Sequence, residues 1–110
     1  MREQWRGAAE IPELPVSRFA RLIVDEEGVR FSISEEEYPV PREDVAKVYV
    51  CKGSFLTYGL CFQMKDARDY FFQFRGGRKK AERALWLVRA ARYPISRNIY
   101  QPYYGRTARD

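Results

Sequence analysis

Arg75-Gly76-Gly77-Arg78-Lys79-Lys80, with Arg83 one helical turn further on, is the segment whose residue types best suit chemistry. That chemistry is the holding of an anion. Basic side chains in the first turn of a helix oppose the macrodipole at a cost of a few tenths to about 1 kcal/mol each, where stability alone favours Asp or Glu. Two glycines ahead of a helix let backbone N–H groups approach a ligand closely, and such N-termini attract phosphate. An anion site with Arg78 and Lys79 foremost is the sharper reading; a Gly-Gly turn followed by a solvated basic face is the plainer one. The spacing is not that of a nucleotide-hydrolysing loop, because no Gly-Lys-Ser/Thr follows the glycines.

On the same predicted helix, Trp86 falls near the middle of the polar side, flanked by Glu82, Arg83, Arg89 and Ala90. A large aromatic there needs a partner. The chain's own tail supplies candidates in Tyr100, Tyr103 and Tyr104, and a second molecule is the alternative. Trp beside Arg is also the composition of interface hot spots and of base-stacking surfaces.

Other chemistries find less support. The chain has no histidine, which removes the commonest general base and metal ligand. Cys51 and Cys61 can lie on neighbouring strands within bridging reach, but two reduced, buried thiols are the expectation for a cytoplasmic chain. The clusters Asp25-Glu26-Glu27 and Glu35-Glu36-Glu37 read as solvated turns, since consecutive turn residues point apart. No catalytic residue, metal site or cofactor fingerprint emerges.

The elements that must position these residues follow from hydrophobic spacing. Residues 1–16 read as an extended lead-in punctuated by Pro12 and Pro15. Ser17–Val24 and Val29–Ser34 form a hairpin about Asp25–Gly28, the second arm alternating cleanly through Val29, Phe31 and Ile33. Tyr38–Val40 is a short edge strand or an extended link, bracketed by Pro39 and Pro41. Val45–Cys51 is a third strand rich in β-branched residues, and Lys52–Gly59 is either broken strand or loop. Leu60–Met64 and Asp69–Arg75 make another hairpin. Arg78–Tyr93 is the one helix, with Ala81, Ala84, Leu85, Leu87, Val88 and Ala91 on one side, stopped by Pro94. Residues 94–110 read as a tail.

This order of five or six antiparallel strands and then a helix is similar to the pleckstrin-homology-like superfold, particularly its small bacterial versions and related lipid-interacting domains. The likeness rests on Val40-Pro41-Arg42-Glu43-Asp44-Val45-Ala46-Lys47-Val48 leading into the third strand. It rests also on Phe72-Gln73-Phe74, a glycine-containing loop, and then Ala84-Leu85 and Leu87-Val88 as last strand and closing helix. It covers about residues 17–93. The resemblance implies a mainly β α+β fold: an antiparallel five- to seven-stranded sandwich or partly open barrel closed by one C-terminal amphipathic helix. The family's inositol-lipid signature, basic residues in the loop of the first hairpin, is replaced here by acidic Asp25-Glu26-Glu27.

One domain is the expectation for 110 residues, with 45% hydrophobic and 32% charged content. No apolar run is long enough to span a bilayer, and nothing near Met1 resembles a secretory signal, so a cytoplasmic location is expected. The charge is asymmetric: residues 56–110 carry 12 basic and 4 acidic side chains, against 8 and 11 in residues 1–55. A basic half can meet nucleic acid, an anionic membrane or an acidic protein. The expectation is a non-catalytic binding module acting through its basic, aromatic C-terminal half. Its first-ranked partner is a protein, a second copy of the chain included. The alternative is nucleic acid or another phosphate anion through Arg75–Lys80, Arg83 and the tail arginines Arg97, Arg106 and Arg109; the residues expected to meet either partner are Arg75, Gly76, Gly77, Arg78, Lys79, Lys80, Arg83, Trp86 and Arg89.

Overall fold

Period-two alternation builds most of the molecule. The computed structural model describes residues 2–52 and 57–102. Eight strands, β1 (Arg2–Glu10), β2 (Ser17–Asp25), β3 (Gly28–Ile33), β4 (Glu36–Val40), β5 (Val45–Lys52), β6 (Tyr58–Met64), β7 (Tyr70–Phe74) and β8 (Ile95–Pro102), form one sheet. Its order is β4-β3-β2-β1-β7-β6-β5-β8. Every neighbouring pair is antiparallel except β5 and β8, which run parallel. The fold is therefore α+β and mainly β. The expected antiparallel sandwich of five to seven strands is corrected to an open, mixed sheet of eight.

Two of those strands lie outside the span that the sequence assigns to the sheet. The lead-in contains β1, a central strand that pairs with β2 on one side and β7 on the other. The tail contains β8, whose parallel pairing returns the chain beside β5 after the helix. Residues 103–110 and 53–56 lie outside the described residues, so the expectations for Tyr103, Tyr104, Arg106 and Arg109, and for most of the Lys52–Gly59 loop, are not addressed.

The sheet curls around one face. Phe31 of β3 sets its ring 5.9 Å from Phe62 of β6 and 5.9 Å from Phe72 of β7, although three strands separate β3 from β6. The helix α1 (Arg78–Ala90) lies over that concave face and packs on β2, β5 and β6 through Ala81, Ala84, Leu85 and Val88. Those are residues of the stripe expected from helical spacing, which also placed Leu87 and Ala91 there; Ala91 is buried and Leu87 half-buried. The helix ends three residues before the expected Tyr93, because the chain turns at Ala91-Arg92 ahead of Pro94. Tyr93 thereby points inward. Its hydroxyl accepts the Val29 N–H at 2.9 Å and donates to the Val40 carbonyl at 2.6 Å, fastening the helix end to β3 and β4. Arg42 donates from Nε to the Ala91 carbonyl at 2.8 Å, satisfying a helix-end acceptor that has no partner within the helix.

Among the described residues no helix is long and apolar enough to cross a membrane.

Candidate anion-binding face

The curl of the sheet leaves its convex face exposed around Arg6, Arg21 and Arg75, and the register decides which side chains meet there. Arg21 of β2 pairs with Arg6 of β1 on one side and with Ser32 of β3 on the other. The Arg75 amide, just beyond β7, donates to the Arg6 carbonyl at 3.3 Å. Side chains alternate across a pleated strand, so Ser32, Arg21, Arg6 and Arg75 form one lateral row on the convex face. Successive strands stand about 4.8 Å apart. Like charges directly opposite one another on paired strands destabilise a sheet, yet three arginines here are side by side.

An irregularity in pairing adds an aromatic ring. Gly7 pairs with Ala20, but two residues later Ala9 pairs with Ser17, so Arg18 and Phe19 together face the single Ala8. Such a bulge re-aims the side chains beside it. Phe19 is 81% exposed, far more than any other large apolar residue described. The Arg75 guanidinium carbon lies 5.8 Å from its ring centroid, within cation–π range. Arg6, Phe19, Arg21, Ser32, Arg75 and Glu35 line a shallow concavity of about 570 Å³. Glu35 comes from the two-residue turn between β3 and β4, in which Ser34 and Glu35 both take positive φ (50° and 69°) as a hairpin turn of this length demands.

Counter-charge separates this row from its neighbour. Arg30, also on the convex face, donates to the Asp25 carboxylate at 2.9 and 3.3 Å and has Glu37 at 3.1 Å from its Nε. Hydrogen bonding from Arg30 holds the Asp25 carboxyl below its usual range, the effect of a charge-assisted pair. Neither Arg6, Arg21 nor Arg75 has an ion-pair partner among the described residues.

The basic loop and helix N-terminus divide. Arg75 turns to the sheet and joins the arginine row. Gly76 takes a left-handed φ of 126°, where a side chain is strained, and its open face is filled by the stem of Lys80, whose ammonium donates to the Arg75 carbonyl at 2.9 Å. Gly77 is the N-cap and offers no side-chain cap. Arg78 pairs with Glu82 at 3.6 Å. Arg83 donates to both oxygens of Glu3 in β1, at 3.0 and 2.8 Å. Lys79 is exposed and unpaired among the described residues. Three of the expected anion ligands thus contact the protein itself.

Trp86 and Arg89 do come together. Trp86 is 47% exposed on the outer side of α1, with the Arg89 guanidinium 5.5 Å from its ring. Within β8, Tyr100 donates to Glu82 rather than covering the indole. Arg97 lies on β8, on the far edge of the sheet from β4.

The two cysteines share one face. Tyr49 pairs with Cys61 and Cys51 with Gly59, which sets the cysteines diagonally across β5 and β6, not bridged to each other, in a cluster with Phe71. Burial pushes the Cys51 thiol and the Tyr49 hydroxyl up, so both stay protonated at neutral pH. Among the described residues no group of three or more His, Cys, Asp or Glu side chains is gathered as metal ligands.

The sequence reading missed Arg6, Phe19 and Arg21. Compared with known proteins, the chain matches no family model and no curated protein.

Proposed function

We propose that this chain is a non-catalytic binding module that holds an anionic ligand on the convex face of its sheet. The observation that carries the reading is the row Arg21–Arg6–Arg75, three arginines adjacent in register that have no ion-pair partner among the described residues, beside an exposed ring. Such a row opposes stability, and its repulsion is relieved when an anion lies across it. Arginine also presents planar, forked donors that suit phosphate and carboxylate oxygens. The likeness to the pleckstrin-homology-like superfold belongs to this reading, supported by the two antiparallel meanders β2-β3-β4 and β5-β6-β7 and the helix that follows them. Inositol-lipid recognition does not, because neither the β1–β2 loop, residues 11–16, nor the acidic turn between β2 and β3 carries a Lys or Arg. A cytoplasmic location is likewise part of the proposal.

A second reading is favoured by Trp86: a protein partner, a second copy included, docking on the outer side of α1. A half-exposed indole under an arginine is the composition of an interface hot spot.

Inorganic polyphosphate separates the two. Titrated with it at low salt, the wild type is expected to bind saturably, and the variant Arg6→Gln/Arg21→Gln/Arg75→Gln to lose about 100-fold or more in affinity, while Trp86→Ala binds as the wild type does. Equal affinity of the triple variant and the wild type overturns the convex-face reading. Failure of the wild type to bind, together with a dimer that Trp86→Ala dissociates, gives the second reading its place.

A further inference from the structure

We infer that the anionic ligand of the convex face is a single-stranded nucleic acid, with phosphates along Arg21, Arg6 and Arg75 and one base stacked on Phe19. The inference rests on the anion-binding reading and deepens it.

Phe19 is what selects the ligand. A phenyl ring held 81% exposed by a strand bulge is not an anchor for the fold. The concavity around it is lined by the guanidinium groups of Arg6, Arg21 and Arg75, the hydroxyls of Ser32 and Ser34 and the Glu35 carboxylate at one end, rather than by the apolar walls that would seat a branched side chain of a peptide. Arg75 lies over one side of the ring and leaves the remainder to solvent. A flat π surface between cations is the arrangement on which bases stack without regard to sequence, backbone phosphates running along the adjacent basic track. Ser32 continues the arginine row as a hydroxyl donor and acceptor, suited to sugar and phosphate oxygens.

Shape and charge argue against a membrane. The site is concave, and exposed Glu35, of the turn between β3 and β4, stands in its lining. A planar anionic bilayer would have to approach that turn and the arginines together. A single strand is narrow enough to follow the arginine row and leave the turn beside it.

The test compares a labelled oligothymidylate of about 15 nucleotides, within the span that single-strand-binding modules cover, with an abasic strand of the same length. Polyphosphate and phosphatidylcholine vesicles containing phosphatidylglycerol are titrated in parallel. The wild type is expected to prefer the oligothymidylate to the abasic strand by about 10-fold, within the range of one stacked base. Phe19→Ala is expected to abolish that preference, so that both strands bind alike, whereas Phe19→Trp keeps the preference and has its added fluorescence quenched by the strand. Equal binding of both strands with normal polyphosphate binding overturns the stacking inference alone. Vesicle binding that depends on Phe19, without oligothymidylate binding, overturns it in favour of a membrane. Binding of neither strand nor polyphosphate overturns the anion reading beneath it.

Discussion

Replacing Arg21 by glutamate is expected to stabilise the domain and abolish its binding. In the wild type Arg21 faces Arg6 directly across β1 and β2, and neither has a carboxylate partner among the described residues. A like-charged pair becomes an opposite-charged one in Arg21→Glu, and cross-strand pairs are worth about 0.2–1 kcal/mol each way. The net gain is about 1 kcal/mol, which raises Tm by about 4 °C in a domain of this size. Binding moves the other way. Losing a charge-assisted hydrogen bond to an anion removes about 1.5–3 kcal/mol, or about 10- to 100-fold in affinity, and the new carboxylate repels what remains. Thermal unfolding by circular dichroism and a polyphosphate titration on the same preparation read both effects. A variant that is less stable, or that binds as tightly as the wild type, contradicts the assignment of this pair to a ligand. The opposition of the two signs is the informative part, since a residue kept only for folding cannot be replaced with a gain in stability and a loss of function.

Gly7→Ala is expected to cost about 3 kcal/mol, the upper end of what overpacking usually does. Gly7 pairs with Ala20 and with Phe74, at the point where β1 passes from one neighbour to the other. A Cβ there would stand 1.9 Å from the Gln73 carbonyl oxygen and 2.9 Å from the Phe72 ring. The first of these is backbone, so β1 and β7 must separate rather than a side chain rotate. Because Arg6 and Arg75 are held beside each other by the adjoining backbone hydrogen bond, the same displacement should loosen the arginine row. A fall in Tm of about 12 °C is expected. Gly77→Ala is the comparison: a Cβ at Gly77 meets nothing within 4 Å, and its φ of −93° suits any residue, so a loss of no more than about 1 kcal/mol is expected, from the poorer capping by Ala. If the two variants melt together, the close approach of β1 to β7 is wrong.

The parts of this fold that are legible in sequence are those whose pattern is local. The hairpin about Asp25–Gly28, the aromatic strand at Tyr70–Phe74 and the buried stripe of α1 announce themselves through spacing and turn residues. β1 does not, because Glu3, which would face the core by alternation, is charged: it reaches Arg83, 80 residues away. β8 does not, because its pairing with β5 is parallel and its sequence Ile95–Pro102 has no clean period. The same distinction holds for the site. Arg75 is recognisable within its basic segment, but the internal partners of Arg78, Lys80 and Arg83, and the convergence of Arg6 with Arg21, exist only once register is set. One signal was present. In Ser17–Val24 the apolar Phe19 falls on the same face as Arg21 and spoils the alternation, and that misplaced ring is the residue the fold exposes.

The most direct measurement is the salt dependence of polyphosphate binding by the wild type and by Arg6→Gln/Arg21→Gln/Arg75→Gln. Each phosphate left without its arginine lowers the slope of log affinity against log salt by about 0.7–1. A slope smaller by about 2–3 in the triple variant is the expected result, one increment for each arginine of the row. An unchanged slope would mean that the anion is held elsewhere, and would contradict the assignment of the convex face as the binding surface.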